Sequence, residues 1–345
     1  MEDNEMKVNL YKYFCSKKHL LQSSFILIVL FLVNHNEAWA DFSEKEYSFS
    51  SLITNADLIV TGEIDSVQLT VENYEMIFHA EDILYNSESR KQFKILSKTK
   101  NGFRLPEEPY LERGGKYLLI LKKESDYYSI VNGLAGIFNV SVKDDILKIL
   151  TTYKQNKQLF TEKNTNEKID LFESLSNEET KTRFLYDLEK NLTKNQMSFI
   201  RELLLSNNKR YTIFGLRVIA NLKADSELRK VEEMLLSSEK EIQFRSIVTL
   251  GYIGNSETNK IIIPFLESSE QHLRRVAIEA VGRIDGEEML NIFKQTYSTE
   301  KDFGNRIAII EATAKFNDRN KIRDALSYFL TLEKDPFVIS IIEKF

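Results

Sequence analysis

The chain has 345 residues, a formal net charge of -5 and the composition of an ordinary globular protein, with 42% hydrophobic residues. This length allows two domains, each with a core of its own. Lys and Arg are spread along the sequence, which disfavours nucleic-acid binding because phosphates require a concentrated basic surface. The single cysteine, Cys15, precedes the first apolar run. A chain processed after that run would have no disulfide and no cysteine-based metal site.

A secretory signal peptide is predicted over residues 1–40. A basic segment at 12–19 precedes a mostly apolar run at 20–33, and Ala-Trp-Ala follows at 38–40. This order is typical of a signal cleaved after Ala40. An uncleaved anchor is the alternative, but a bilayer span needs about 20 apolar residues. We therefore expect an exported protein, periplasmic or secreted, without a stable membrane span once the signal is removed.

Residues 41–150 are predicted to form a small antiparallel β barrel or sandwich. From about Ser48 to Leu150 the apolar residues recur with a period close to two, and turn residues such as Asn132-Gly133 separate the runs. The predicted strands cover 57–71, 76–84, 92–96, 116–121, 127–131 and 137–142.

The same segment resembles a domain common in exported bacterial proteins. An Ala-Asp-x-Ile-Val-x-Gly start at 56–62 leads to Gly-x-x-Tyr-Leu-Leu-x-Leu at 114–121 and to a Gly-x-Phe ending at Phe138. Some members of that set are similar to the open barrel of the netrin and metalloprotease-inhibitor modules. The resemblance implies the fold but no activity, because this chain lacks the cysteines of those inhibitors.

Residues 151–176 are predicted to be a linker, and the polar stretch at 154–168 fits either a flexible linker or a solvated helix. From Asn177 onward the apolar period becomes helical. We predict an α-solenoid over 177–345, with about five helix pairs and a terminal half-helix. The fold class is therefore a multidomain α+β chain.

Four short helical segments repeat, each containing one small residue: Ala220, Gly251, Gly282 and Ala314, separated by 31, 31 and 32 positions. Apolar residues recur four before, one before and two after this reference, positions that share one helix face. The predicted buried stripe consists of Leu216, Ile219, Leu222, Ile247, Leu250, Ile253, Ile278, Val281, Ile284, Ile310, Thr313 and Phe316.

Each segment leads into a second amphipathic helix, with matched apolar positions at Ile200, Val231, Ile262 and Phe293, and at Leu204, Leu235, Leu266, Tyr297 and Phe329. A hairpin of about 31 residues cannot bury its apolar face alone, so the hairpins must stack. In the degenerate first pair only Leu185 and Leu188 meet the stripe, which is typical of a capping repeat. Pro264 should bend its helix.

The sequence Leu-Arg-Arg-Val-Ala-Ile-Glu-Ala-Val-Gly-Arg-Ile-Asp at 273–285 resembles the signature of short bacterial HEAT repeats. In HEAT proteins the helix with this arginine signature tends to line the concave, ligand-facing side. The resemblance therefore implies a binding face on these helices.

The residues three before and one after the reference are neighbours on the helix surface opposite the stripe. We call this face the ladder and predict that it binds a partner through Arg217, Asn221, Tyr252, Arg275, Glu279, Arg283, Glu311 and Lys315. The alternative is an ordinary solvated face with stabilising ion pairs such as Glu279–Arg283 and Glu311–Lys315.

No phosphate loop, nucleophile elbow or HExxH motif occurs, and beyond the leader the only histidines are His79, expected half-buried in a strand, and His272. We predict no catalytic residue, metal or cofactor. The predicted function is a non-catalytic exported scaffold that holds a protein or peptide partner; its oligomeric state stays open. One alternative is an enzyme similar to the HEAT-type lyases that attach bilins. Another is ligand or protease-inhibitor-like binding by the β domain, with the repeats as its scaffold.

Overall fold

The computed structural model describes residues 48–69, 73–86, 88–100, 103–104, 111–156, 164–284 and 288–345. The predicted signal peptide lies outside these ranges. The chain divides into two compact units, Met1–Asp187 and Leu188–Phe345. Among the helices in the described ranges, none has the length and apolar character needed to cross a bilayer.

The described residues of the first unit form seven strands. They are β1 (Leu58–Leu69), β2 (Asn73–Tyr85), β3 (Gln92–Lys100), β4 (Phe103–Arg104), β5 (Lys116–Lys123), β6 (Tyr128–Ile130) and β7 (Ile137–Asn139). Strands β1, β2 and β3 form an antiparallel meander, β1 also pairs antiparallel with β5, and β6 bridges β5 and β3. The β3–β6 contact is parallel and joins Ile95 to Tyr128. These five strands close into a barrel, which confirms the predicted fold class.

The barrel core consists of the inward side chains of alternating strand positions, as the period of two predicts. Met76, Phe78, Phe93, Ile95 and Leu119 are each 1% exposed or less. Gly62 on β1 lies opposite Ala80, and a Cβ built at Gly62 would be 2.0 Å from the carbonyl oxygen of His79. A side chain is therefore excluded at Gly62 by the neighbouring strand's backbone.

Helices lie at both ends of the segment from about Ser48 to Leu150, outside the predicted strands at 57–142. Helix α1 is Phe49–Thr54, and helix α2 is Lys143–Gln155. The side chain of Ser48 caps α1, and the carboxylate of the distant Asp187 accepts from the amide of Phe49 at 2.6 Å. These contacts satisfy amide groups that the start of a helix leaves unpaired.

The segment predicted as a linker, 151–176, includes the end of α2 and helix α3 (Thr165–Ser174); helix α4 (Glu178–Glu189) follows. Leu171 and Phe172 of α3 are buried. The carboxylate of Asp145, 1% exposed, accepts hydrogen bonds from the backbone amides of Ser176 and Asn177. Apolar burial and this buried carboxylate stabilise the region.

The second unit is an array of helical hairpins. Its helices are α5 (Met197–Leu204), α6 (Lys209–Leu222), α7 (Leu228–Met234), α8 (Lys240–Ile253), α9 (Ser256–Ile262), α10 (Gln271–Arg283), α11 (Met289–Thr299), α12 (Phe303–Thr313), α13 (Arg319–Leu332) and α14 (Pro336–Ile342). The signature helices α6, α8, α10 and α12 pack one against the next and form one layer. Helix α9 gives way to a 3-10 turn at Ile263–Glu267 around Pro264, where the sequence predicts a bend.

The predicted stripe is buried. The four residues that stand four positions before the reference, Leu216, Ile247, Ile278 and Ile310, are all 0% exposed. The matched positions of the second helices are buried as well, including Ile200, Val231, Ile262, Phe293 and Phe329. Leu222 is the one member of the stripe that is only half-buried. These burials confirm an α-solenoid.

The small residue at the reference lets neighbouring signature helices approach closely. A Cβ built at Gly251 would lie 2.8 Å from Cα of Ala280, and one built at Gly282 would lie 2.6 Å from Cβ of Ala312. Because such Cβ contacts are closer than atoms pack, a larger residue would separate the helices.

The side chain eight residues before the reference donates a hydrogen bond to the loop that precedes each signature helix. Thr212 donates to the carbonyl of Ser206 at 3.1 Å, and Gln243 donates to the carbonyl of Leu235 at 3.1 Å. In the last two repeats this position is arginine: Arg274 donates to the carbonyl of Ser268, and Arg306 to that of Lys301. The same position thus stabilises four loops with different side chains.

Each of these two arginines also reaches a buried glutamate about one repeat ahead. Arg274 binds Glu300 through Nε and Nη2 at 2.8 and 3.0 Å, and Nε of Arg306 lies 2.9 Å from Glu333. Burial raises the pKa of Glu333, but hydrogen bonds from Tyr297, two backbone amides and Arg306 outweigh it and bring the pKa to about 2. The pKa of Glu300 is lowered in the same way, with Arg274 opposing burial.

Candidate functional site

Seven of the eight predicted site residues lie on the signature helices α6, α8, α10 and α12. Lys315 follows the end of α12 at Thr313, and none of the eight is buried. Asn221, Tyr252, Arg283 and Lys315, the residues one after the reference, are exposed. The helical period explains this placement, since these positions lie away from the buried stripe. The structure therefore presents the ladder as a solvent-facing surface across four consecutive repeats.

The first repeat of the ladder is organised by an acid that the sequence pattern does not reveal. Glu189, whose side chain is 6% exposed, accepts from Nη2 of Arg217 at 2.6 Å and from the side-chain Nδ2 of Asn221 at 3.3 Å. Glu189 lies 28 residues before Arg217, outside the repeat register. A search for acids about one repeat away from each ladder arginine would have found it.

The third repeat carries two arginines and one acid. Nε of Arg275 donates to Glu279 at 2.7 Å, and its Nη1 donates to the carbonyl of Gly304 at 2.9 Å. Arg283 approaches the other oxygen of Glu279 only to 3.8 Å, which confirms the predicted Glu279–Arg283 ion pair but makes it a loose one. The carboxylate of Glu279 is therefore satisfied mainly by Arg275.

Arg283 instead lies over the ring of Tyr252 on the preceding repeat, with Cζ 4.8 Å from the ring centroid. Tyr252 is 47% exposed. A guanidinium over an aromatic face is held by the ring quadrupole. Within the described part of the chain the Arg283 guanidinium makes no hydrogen bond, and its side chain is 32% exposed.

The predicted Glu311–Lys315 ion pair is wrong. Neither side chain has an ion-pair partner within 4.0 Å among the residues that the structure describes, although i,i+4 spacing would permit one. Glu311 is half-buried and Lys315 exposed. The last repeat therefore adds one unpaired cation and one unpaired carboxylate to the ladder.

Sequence reasoning missed an apolar strip on α8, formed by Phe244, Val248 and Tyr252. Phe244 and Val248 are half-buried, and Arg245 lies over the Phe244 ring at 5.5 Å. These three residues stand seven and three before the reference and one after it, so they follow one line along the helix. The signal was present at Val248, the one apolar residue among the four that stand three before the reference.

Neither His79 nor His272 is one of the ladder residues. His79 is exposed on β2, with Nδ1 3.9 Å from Asp65, so the expectation of a half-buried histidine is wrong. The period of two explains the position, because its neighbours Phe78 and Ala80 point into the core. In the described ranges no group of three or more His, Cys, Asp or Glu is arranged to hold a metal ion.

Comparison with known proteins defines the class of the repeat array. A family model described as HEAT repeats matches residues 228–338. No curated protein matches the chain. Among solved structures, an engineered protein is similar at 13% identity, over 52% of this chain and 94% of that one, with a TM-score of 0.36.

The helical hairpins, the buried stripe and the small reference residues define an α-solenoid. The chain carries a HEAT-repeat domain, joined in sequence to an N-terminal β barrel. Repeat arrays of this class commonly bind proteins along one continuous surface.

Proposed function

We propose that this protein is a non-catalytic scaffold that binds a protein or peptide partner through the ladder of its HEAT-repeat domain. The observation that carries the proposal is the exposed Tyr252, stacked by Arg283, at the centre of a surface that spans four repeats. Tyrosine and arginine are the residues that most often dominate the binding energy of protein interfaces.

The neighbouring apolar strip supports the same role. Phe244 and Val248 are half-buried on the side of α8 that faces away from the stripe, where a purely solvated helix would carry charged residues. An apolar centre surrounded by charged side chains is the arrangement of a typical interface. The charged groups around it are Arg217, Arg275, Glu279 and Arg283.

The proposal includes export. Its support is the sequence alone: a basic segment, an apolar run and the Ala-Trp-Ala at 38–40. Cell fractionation followed by N-terminal sequencing tests it, with a mature chain starting at Asp41 outside the cytoplasm as the expected result. A chain that retains residues 1–40 in the cytoplasm would contradict it.

Site-specific photocrosslinking in the native host tests the binding face. A photoreactive phenylalanine analogue replaces Tyr252 in one variant and Arg229 in the control. Arg229 lies on α7, outside the signature-helix layer, and its side chain is 91% exposed. We expect a discrete crosslinked species from position 252 that the control lacks.

Mass spectrometry of that species identifies the partner, and Tyr252→Ala should reduce its recovery by affinity capture. Equal crosslinking from positions 252 and 229, or no discrete product from position 252, would contradict binding through the ladder.

A further inference from the structure

The arginines of the second unit differ in how many hydrogen bonds their guanidinium groups donate. Arg274 and Arg306 each bind a buried glutamate and a loop carbonyl. Arg275 binds Glu279 and the carbonyl of Gly304, and Arg217 binds Glu189. Of the three ladder arginines, Arg283 is the one that donates no hydrogen bond within the described ranges, and its Nη2 lies 3.8 Å from Glu279. A guanidinium has five N–H donors in a fork that matches a carboxylate.

The ladder also carries more cations than carboxylates, which favours the binding of an anion. Four cations, Arg217, Arg275, Arg283 and Lys315, face three carboxylates, those of Glu189, Glu279 and Glu311. The charges of these seven residues sum to +1, whereas the whole chain carries a net charge of -5. Arg217 and Arg275 are hydrogen-bonded to Glu189 and Glu279. Two cations, Arg283 and Lys315, then remain with one unpaired carboxylate, Glu311, and these two cations have equivalent positions in successive repeats.

We propose that the ladder binds an extended acidic peptide segment, with carboxylates at Arg283 and Lys315 and an apolar side chain against Tyr252. This inference rests on the proposed function and specifies its partner. The cation–π contact at 4.8 Å holds the Arg283 guanidinium in place, so a carboxylate meets donors that are already oriented.

The repeat spacing sets the pattern of such a segment. Neighbouring packed helices lie about 8–10 Å apart, and an extended chain advances about 3.3 Å per residue. Side chains that meet Tyr252, Arg283 and Lys315 in turn are therefore about three residues apart. The expected motif is one apolar residue followed by two acids at three-residue intervals.

Fluorescence anisotropy with the full mature chain tests this motif. The probe is a labelled 12-residue Gly/Ser peptide that carries one Leu and two Glu at three-residue spacing. Matched peptides replace both Glu by Gln or by Lys. We expect the Glu peptide to bind about tenfold more tightly than the Gln peptide, and the Lys peptide to bind least.

Variants of Arg283 test whether this residue binds the carboxylates of the peptide. Arg283→Gln should weaken binding of the Glu peptide about tenfold and leave binding of the Gln peptide unchanged, whereas Arg283→Lys should retain part of the affinity. Arg229→Gln, which removes an exposed arginine outside the ladder, should change neither. Equal binding of the Glu and Gln peptides, or an Arg283→Gln variant that binds the Glu peptide normally, would overturn the proposal.

Selection from a displayed random-peptide library on the same chain separates this inference from the proposed function. Enriched acidic peptides that Arg283→Gln releases would support both. Peptides that Tyr252→Ala releases but that show no enrichment in Asp or Glu would leave the scaffold role standing and overturn the acidic segment. A library with no binder that depends on Tyr252 or Arg283 would overturn both.

Discussion

The β barrel and the HEAT repeats differ in how far along the chain their stabilising contacts reach. In the first unit the amide of Phe49 donates to Asp187, 138 residues away, and β1 pairs with β5 across some 60 positions. In the second unit Arg274 reaches Glu300 and Arg306 reaches Glu333, separations of 26 and 27 residues. The barrel is closed by distant contacts, and the array by contacts with the next repeat.

This difference determines how far along the chain a destabilising substitution should reduce stability. A closed barrel has one core, so a change in a single strand affects every strand. In a repeat array each hairpin contacts only its neighbours, and stability is approximately a sum of local terms. Hydrogen exchange measured by mass spectrometry distinguishes the two cases, because it reports protection segment by segment.

The largest expected loss of stability is that of Gly62→Val in the barrel. The new Cβ would lie 2.0 Å from the carbonyl oxygen of His79 on β2, and backbone cannot move aside as a side chain can. We expect a loss of about 3 kcal/mol or more in the free energy of unfolding. Hydrogen exchange should show reduced protection in β1, β2, β3 and β5 together.

Gly114→Ala is the matched control, because a Cβ there would have only the side chain of Glu63 nearby, at 3.8 Å, although its φ of 76° adds some strain. Loss of protection confined to β1 after Gly62→Val would contradict a single cooperative barrel.

A smaller loss, about 2 kcal/mol in the free energy of unfolding, is expected for Glu333→Gln in the array at pH 7. The side chain of Glu333 is 4% exposed and holds both Arg306 and the Tyr297 hydroxyl, the latter at 2.5 Å. The variant leaves Arg306 without its charged partner. Thermal unfolding followed by circular dichroism measures the loss, and Glu343→Gln at an exposed position is the control.

The ion pair between Glu333 and Arg306 also predicts that the stability of the array depends on pH. The pKa of Glu333 is lowered from its ordinary value of 4.5 to about 2, so its contribution is complete above about pH 4.5 and is lost as the pH falls towards 2. The stability difference between the wild type and Glu333→Gln should therefore shrink over this range. A difference that stays constant down to pH 2 would contradict an ionised, buried Glu333.

Next comes Gly282→Ala, with an expected loss of up to about 2 kcal/mol in the free energy of unfolding. Alanine favours a helix over glycine by about 1 kcal/mol, but its Cβ would lie 2.6 Å from Cβ of Ala312 on the next repeat, and such overpacking costs about 1–3 kcal/mol. Exchange should increase in α10 and α12 and remain unchanged in α6.

Gly304→Ala is its control, because a Cβ there would meet only the side-chain ends of Asp302 and Arg275. That variant should be neutral or slightly stabilised. An equal loss in both variants would show that the close helix approach at Gly282 is unimportant.

The same contrast explains what the sequence could predict. The stripe at Leu216, Ile247 and Ile278 follows from a local period, and all three residues are fully buried. The barrel strands were recognisable by alternation, but α1 was not. Its six residues carry no helical pattern of useful length, and its stability comes partly from Asp187, which no local signal links to it.

For the site, the sequence predicted which residues share a face but not their partners. Register alone places Tyr252 and Arg283 on neighbouring repeats. It cannot show that Glu189 satisfies Arg217, or that Arg275 outcompetes Arg283 for Glu279, because these outcomes depend on distances of 2.6, 2.7 and 3.8 Å. The ion pair predicted at Glu311–Lys315 fails for the same reason.

The smallest expected effect on stability belongs to the ladder itself. Arg283→Gln removes an exposed cation–π contact and a loose ion pair, so we expect a change of about 0.5 kcal/mol or less in the free energy of unfolding. Arg306→Gln, which leaves the buried Glu333 without its cation, should cost several times as much. Chemical denaturation of the two variants measures both values. If Arg283→Gln destabilised the array as strongly as Arg306→Gln, Arg283 would serve to hold the repeats together, and its free donors would no longer indicate a surface available to a partner.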